Sequence, residues 1–171
     1  MQIADFDASK NLVELFLKRA DELGDKPFLT AKRDGEWRSI SWREAAQQVC
    51  LLAESLRRLG LEDGDRVVLV SENRPEWALA DIAIMAAGCV TTPAYITNTE
   101  RDHAHVLENS GAKAVIVSDR KLARALLPAV VRTGIAEHVI GIEPLRSVQG
   151  NFQTHAGSDL LQGDATAARH A

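Results

Sequence analysis

The sequence predicts an α/β fold: a mainly parallel sheet with helices on both faces, preceded by an N-terminal helix and a short β-hairpin. Three observations predict it. From Arg66 onward, short apolar runs alternate with helical stretches and little slack, the order of strand–helix–strand crossovers. Arg66 to Ser71 is a continuous Val/Leu run, as expected of a parallel strand covered on both sides. Gly24, Gly60, Gly88, Gly111 and Gly134 each fall just past a predicted helix, where a left-handed backbone turn ends it.

The first helix spans Asn11 to Leu23, with Leu12, Phe16, Ala20 and Leu23 on one stripe. Pro27 to Ala31 and Glu36 to Ile40 are short strands around Arg33-Asp34-Gly35, a hairpin signal. Ser41 and Glu44 form a capping box that opens the second helix. Its apolar face carries Ala45, Ala46, Val49, Leu52, Ala53 and Leu56, and Gly60 ends it. After the Arg66–Ser71 strand, a helix over Glu76–Ala87 is entered through Asn73-Arg74-Pro75, where proline suits the first turn. Val90 to Ala94 is a strand. Thr99 to Ser110 is a helix with a second capping box, Thr99 and Asp102. Ala114 to Val117 is a strand. Ser118 or Asp119 caps a helix that Pro128 is expected to kink or divide. His138 to Ile142 is the last expected strand. The organisation expected is one α/β unit over residues 1–145 and an irregular tail or linker over 146–171, with at most the start of a helix at Ala165 to His170.

The helix from Trp77 to Ala87 is apolar almost all round. A helix lying on a sheet needs one apolar stripe, so this one is expected to be buried on every side, by this chain or by another domain.

Composition narrows the function. Hydrophobic residues make up 46% and charged residues 26%, enough for one core in a soluble domain of 171 residues. A net charge of −4 argues against nucleic acid as partner. No stretch has the apolar length of a membrane span, and Met1 to Asp7 lacks the order of a signal peptide. Cys50 and Cys89 are isolated, which suits a reducing compartment, and a cytoplasmic setting is expected.

Few residues carry chemistry. Gly60 and Gly64 precede a strand, whereas phosphate loops need glycines after one. His103 and His105 lie two apart on a helix and face different ways, so they cannot pinch one metal. No serine sits in a nucleophile elbow. Ser71, Ser118 and Asp119 fall at strand ends, where helix capping is their better reading. Asn73 suits an N-cap, Glu76 a first-turn acid and Trp77 the core. Asn73 and Tyr95 follow the first and second parallel strands and are the candidates for shaping a pocket. A receiver-domain reading fails, because Ser71-Glu72-Asn73 follows the first parallel strand in place of an acidic pair and no lysine follows the last strand.

Ile40-Ser41-Trp42-Arg43-Glu44, Gly64-Asp65-Arg66-Val67, Asn73-Arg74-Pro75-Glu76-Trp77, Pro93-Ala94-Tyr95 and Ser110-Gly111-Ala112-Lys113 carry a resemblance. In order and spacing they resemble the opening region of AMP-forming acyl-CoA synthetases, in the long-chain branch of the adenylate-forming enzymes, over about Asn11 to Ile142. Members of that family are several times longer. The resemblance implies activation of a fatty acid with ATP and magnesium, then acyl transfer to coenzyme A. It also implies that the phosphate loop, the magnesium and ribose carboxylates and the lysine lie later in such chains. No catalytic, cofactor-binding or metal residue therefore carries over to this sequence. The chain is expected to be a scaffold that is inactive alone, with the remainder of a synthetase as partner. A free-standing non-catalytic α/β module is the alternative. Polar replacement of the outward residues of the Glu76–Ala87 helix would mark it.

Overall fold

The computed structural model describes residues 9–145 and 149–162. Helix α1 (Leu12–Leu23) starts where the Asn11 side chain accepts from the Glu14 N–H at 2.8 Å. Strands β1 (Pro27–Arg33) and β2 (Glu36–Ser41) form an antiparallel hairpin whose turn holds Asp34 and Gly35 at positive φ. Both bonds of the Ser41–Glu44 capping box open α2 (Trp42–Arg58). There follow β3 (Arg66–Val70), α3 (Pro75–Ala86), β4 (Val90–Pro93), α4 (Glu100–Ser110), β5 (Ala114–Val117), α5 (Arg120–Thr133) and β6 (His138–Gly141). A further strand, β7 (Gln153–Ala156), leads straight into the single turn α6 (Gly157–Leu160).

One parallel sheet runs β4-β3-β5-β6-β7. Because successive side chains point to opposite faces, the strands divide their residues between two cores. Val67, Leu69, Ala114, Ile116 and Ile140 face α2 and α3. Val68, Val70, Val115, Val117 and Val139 face α4 and α5. Thr99 and Asp102 form the second capping box as the sequence predicts.

Helix α3 explains its own composition. Ala80 and Ile84 pack with the sheet, while Leu79 and Ala83 pack with Phe16, Ala20, Ala45, Ala46 and Val49 of α1 and α2. Phe28 and Trp42, with ring centroids 4.0 Å apart, extend that outer layer. The helix is a middle layer, and this chain alone gives it apolar neighbours on two sides. Its all-round apolar character therefore does not itself point to an absent domain.

Two expectations need correction. Pro128 lies inside α5 without dividing it, so the helix runs unbroken past a residue that can offer no N–H to the carbonyl of Arg124. The stretch past Leu145 is not irregular throughout: β7 pairs in parallel with β6, and Leu160 is buried, its carbonyl accepting from Ser55 Oγ at 2.8 Å. The strand Gln-Thr-His-Ala has no apolar run because it forms the sheet's edge and is held largely by backbone bonds. The possible helix at Ala165 to His170 lies outside the described residues.

Candidate functional site

In this strand order, β3 sends its crossover to β4 on one side, and β4 returns past β3 to β5 on the other. Ligands of open α/β sheets sit at such a reversal, beyond the C-terminal strand ends. Here the reversal joins Ser71 and Glu72 after β3 to Ser118 and Asp119 after β5, with Glu143 following β6 next door.

These residues are tied to one another. Ser118 is fully buried, and its hydroxyl donates to Glu72 Oε2 at 2.6 Å. Asp119 caps α5 by accepting from the Leu122 N–H at 2.8 Å. Arg74 donates to Glu76 at 2.9 Å and to Glu143 at 2.8 Å, and reaches Glu72 at 3.4 Å. Arg33, on the hairpin, binds the other oxygen of Glu76. Burial works against the Arg74 charge, but the hydrogen bonds it donates to Glu76 and Glu143 outweigh that and raise the pKa of the guanidinium. Burial would raise the pKa of Glu76, yet Arg74 and Arg33 hold it below the usual carboxylate range.

Beneath this network lies a cavity of about 360 Å³ between the sheet, α2 and α3, walled by Leu52, Leu79, Ile116, Ile140 and Ile142. Arg33, Arg74, Glu76 and Glu143 also line it. The apolar wall suits an apolar group. The two arginines are matched by three carboxylates, which leaves no surplus positive charge for a phosphate. A larger groove of about 770 Å³, between α1 and α3, has Leu12, Leu17 and Met85 in its lining and no part of the strand-end network.

The sequence candidates Asn73 and Tyr95 do not line this cavity. Asn73 is exposed. It does not cap α3: Arg74 holds the N-cap position without a side-chain bond, because a guanidinium has no acceptor for the first-turn N–H groups, and Pro75 at the start of the helix removes one of them. Tyr95 is 81% exposed, and its carbonyl accepts from the Asn98 N–H. Ala94 N–H donates to the Leu69 carbonyl, so the strands before Asn73 and Tyr95 do run side by side. Glu76 is a first-turn acid as expected, and is also the centre of an ion-pair network that sequence spacing could not show. Arg33 lies 43 positions away and was invisible as its partner. Trp77 is half-buried against the sheet core.

Among the described residues no three His, Cys, Asp or Glu side chains are placed to share a metal ion. His103 is buried with no hydrogen bond to Nδ1, and burial lowers its pKa, whereas His105 is exposed. A pair the sequence did not signal is His138 Nδ1 and His155 Nε2, 3.2 Å apart across β6 and β7. No described helix is long and apolar enough to cross a membrane.

The AMP-binding enzyme family matches residues 16–165. The long-chain-fatty-acid–CoA ligase FadD15 of Mycobacterium tuberculosis is 44% identical over 79 residues, 46% of this chain and 13% of the ligase. The long-chain-fatty-acid–CoA ligase ACSBG2 of Gallus gallus is 29% identical over 117 residues, 68% of this chain and 15% of that protein. The chain thus corresponds to a small share of the length of its curated relatives. Among solved structures, the adenylation domain of a carboxylate reductase from Mycobacterium chelonae aligns over 92% of this chain and 29% of its own, with a TM-score of 0.75 at 15% identity. A benzoate CoA ligase from Burkholderia xenovorans aligns over 88% of this chain and 28% of its own, with a TM-score of 0.72 at 21% identity. These two show that the fold is shared.

Proposed function

The chain belongs to the AMP-binding enzyme family, and from that premise we propose that it forms the opening scaffold of a long-chain fatty acyl-CoA synthetase and carries out no adenylation alone. The observation that carries this reading is the family match over 16–165 set beside the 13% of FadD15 that the chain matches. The reaction proposed for the whole protein joins a fatty acid to coenzyme A at the expense of ATP, with magnesium and an acyl-adenylate between. A cytoplasmic setting is part of the proposal, and the buried thiols of Cys50 and Cys89, which form no disulfide, agree with it.

The residues present do not fit the ATP phosphates. At the strand ends Arg33 and Arg74 are matched by Glu72, Glu76 and Glu143. A triphosphate there would meet excess negative charge, where phosphoryl chemistry wants cations and free backbone N–H groups. What the chain does offer is structure: an apolar cavity under a closed charge network, and an open sheet edge at β4. Val90, Tyr95 and Ile96 are exposed at that edge, 50%, 81% and 46%. An uncovered apolar edge is where further sheet or helix packs. In this reading Tyr95 and Asn73 belong to a surface that the rest of a synthetase covers. A free-standing interaction module is the second reading.

Pyrophosphate exchange with ATP and a panel of acids tests the proposal. The chain alone is expected to give the blank rate. A chimera in which it replaces the matching segment of a full-length ligase is expected to retain thioester formation. Exchange by the purified chain, or a folded chimera without activity, would overturn the assignment.

A further inference from the structure

On the opposite side of the sheet from the cavity, α5 presents a groove of about 630 Å³. Its lining includes Arg120, Arg124 and Arg132 over a floor of Leu127, Pro128 and Val131, with no carboxylate among the described residues that form it. Val131 is 48% exposed. Asp119 caps α5 and Glu143 binds Arg74, whereas Glu100 pairs with Arg132 of the groove at 3.3 Å, so the unmatched positive charge lies at the Arg120 and Arg124 end. Arg120 spends its Nε on the Pro144 carbonyl, which leaves its terminal nitrogens. Arg124 is exposed and has no ion-pair partner among the described residues.

The placement along the helix is directional. Arg120 and Arg124 are one turn apart and share a face. From Arg124 to Val131 the helix rises about 10 Å, and Leu127, Pro128 and Val131 occupy that interval. A paired guanidinium end followed by an apolar strip matches an anionic head with a single alkyl tail. Arginine forks bind carboxylates in two-point fashion, and the strip removes methylenes from water. We infer that this groove is a binding site for a long-chain alkyl carboxylate, with its head at Arg120 and Arg124 and its tail along Leu127, Pro128 and Val131. The site is separate from the strand-end cavity and stands whether or not the chain serves a ligase.

The test is titration of the full chain with dodecanoate below its micelle concentration, followed by calorimetry and by backbone amide NMR. Saturable one-site binding is expected, with shifts confined to Arg120–Arg132 and weakened by salt. Arg124→Glu and Val131→Asp, both at exposed positions, are each expected to weaken binding by roughly tenfold or more without changing the melting temperature. Acetate, which has the head alone, and dodecanol, which has the tail alone, are expected to bind more weakly by a similar factor. Unchanged dodecanoate affinity in both variants would overturn the site. So would shifts that map to Ile116, Ile140 and Ile142 instead, or co-sedimentation with phosphatidylglycerol vesicles without binding of the monomer.

Discussion

The Arg74 guanidinium and the Glu143 carboxylate meet at 2.8 Å across the C-terminal edge of the sheet, although 69 positions separate them in sequence. One residue leads into α3 and the other follows β6. Glu76, held by both Arg74 and Arg33, extends the tie to the hairpin. Three parts of the chain are therefore tied by charge at this edge, over the apolar cavity.

Removing Arg74 should be the most damaging single change in this network. Its side chain is 17% exposed and faces three carboxylates. Arg74→Ala leaves Glu72, Glu76 and Glu143 to repel one another. A loss of about 2 kcal/mol is expected, below the range for fully buried pairs because Glu143 and Glu72 are partly solvated. Urea unfolding measures it. A change under about 0.5 kcal/mol, the size of an ordinary surface substitution, would show that the network does not hold the edge.

Glu76 sets an acid limit on stability. Its folded pKa is lowered, so its contribution is full above the unfolded value of about 4.3 and is lost as pH falls through the lowered folded value. Unfolding free energy should therefore decline below about pH 4.3, and Glu76→Gln should flatten that decline. An unchanged slope in the variant would place the acid sensitivity elsewhere, for instance at Asp65, whose pKa is also lowered.

Much of the fold is legible in the sequence, because capping boxes, stop glycines and Val-rich runs are local signals. Ser41–Glu44 and Thr99–Asp102 sit where their spacing puts them. Strand β7 is not legible: Gln153-Thr154-His155-Ala156 has no apolar period, and its place comes from backbone pairing with β6. The candidate site divides in the same way. Strand ends can be read from the alternation, and so Asn73 and Tyr95 stand out. The Arg33–Glu76–Arg74–Glu143 ties join residues from three distant segments, and no local pattern reports them.

The region from Gln153 to Leu160 should resist proteolysis. Leu160 is buried in the sheet core and its carbonyl binds Ser55 Oγ. Leu160→Ala is expected to cost about 2 kcal/mol and to open this region to trypsin-independent proteases such as thermolysin. Cleavage within 153–160 at the same rate in both proteins would show that the docking contributes little.

Gly88 is fixed by geometry. Its φ is +82°, and a Cβ there would run into the Asp63 carboxylate. Gly64 N–H donates to its carbonyl at 2.8 Å, so the turn before β3 and the turn before β4 are locked together. Gly88→Ala should destabilise by more than about 1 kcal/mol, whereas Gly134→Ala, with open space around the Cβ, should cost less. Equal losses would mean that φ alone decides, without the contact.

The last strand should loosen in mild acid. His138 Nδ1 and His155 Nε2 lie 3.2 Å apart, so one ring must donate and the other accept. Both cannot be protonated at those nitrogens and keep the bond. Burial, followed by repulsion from His138, lowers the pKa of His155. A histidine whose folded pKa is depressed contributes stability that is present above its unfolded value of about 6.5 and is lost as pH falls through the folded value. The bond between β6 and β7 should therefore weaken below about pH 6.5, while β3 and β5, buried on both faces, keep their protection. Amide exchange, corrected for its intrinsic pH dependence, should show Thr154 to Ala156 losing protection between neutral and mildly acidic solution. His155→Gln, which cannot take up a proton, should remove the pH dependence. Equal protection of β7 at both pH values in the unsubstituted chain would show that the two rings do not govern the edge.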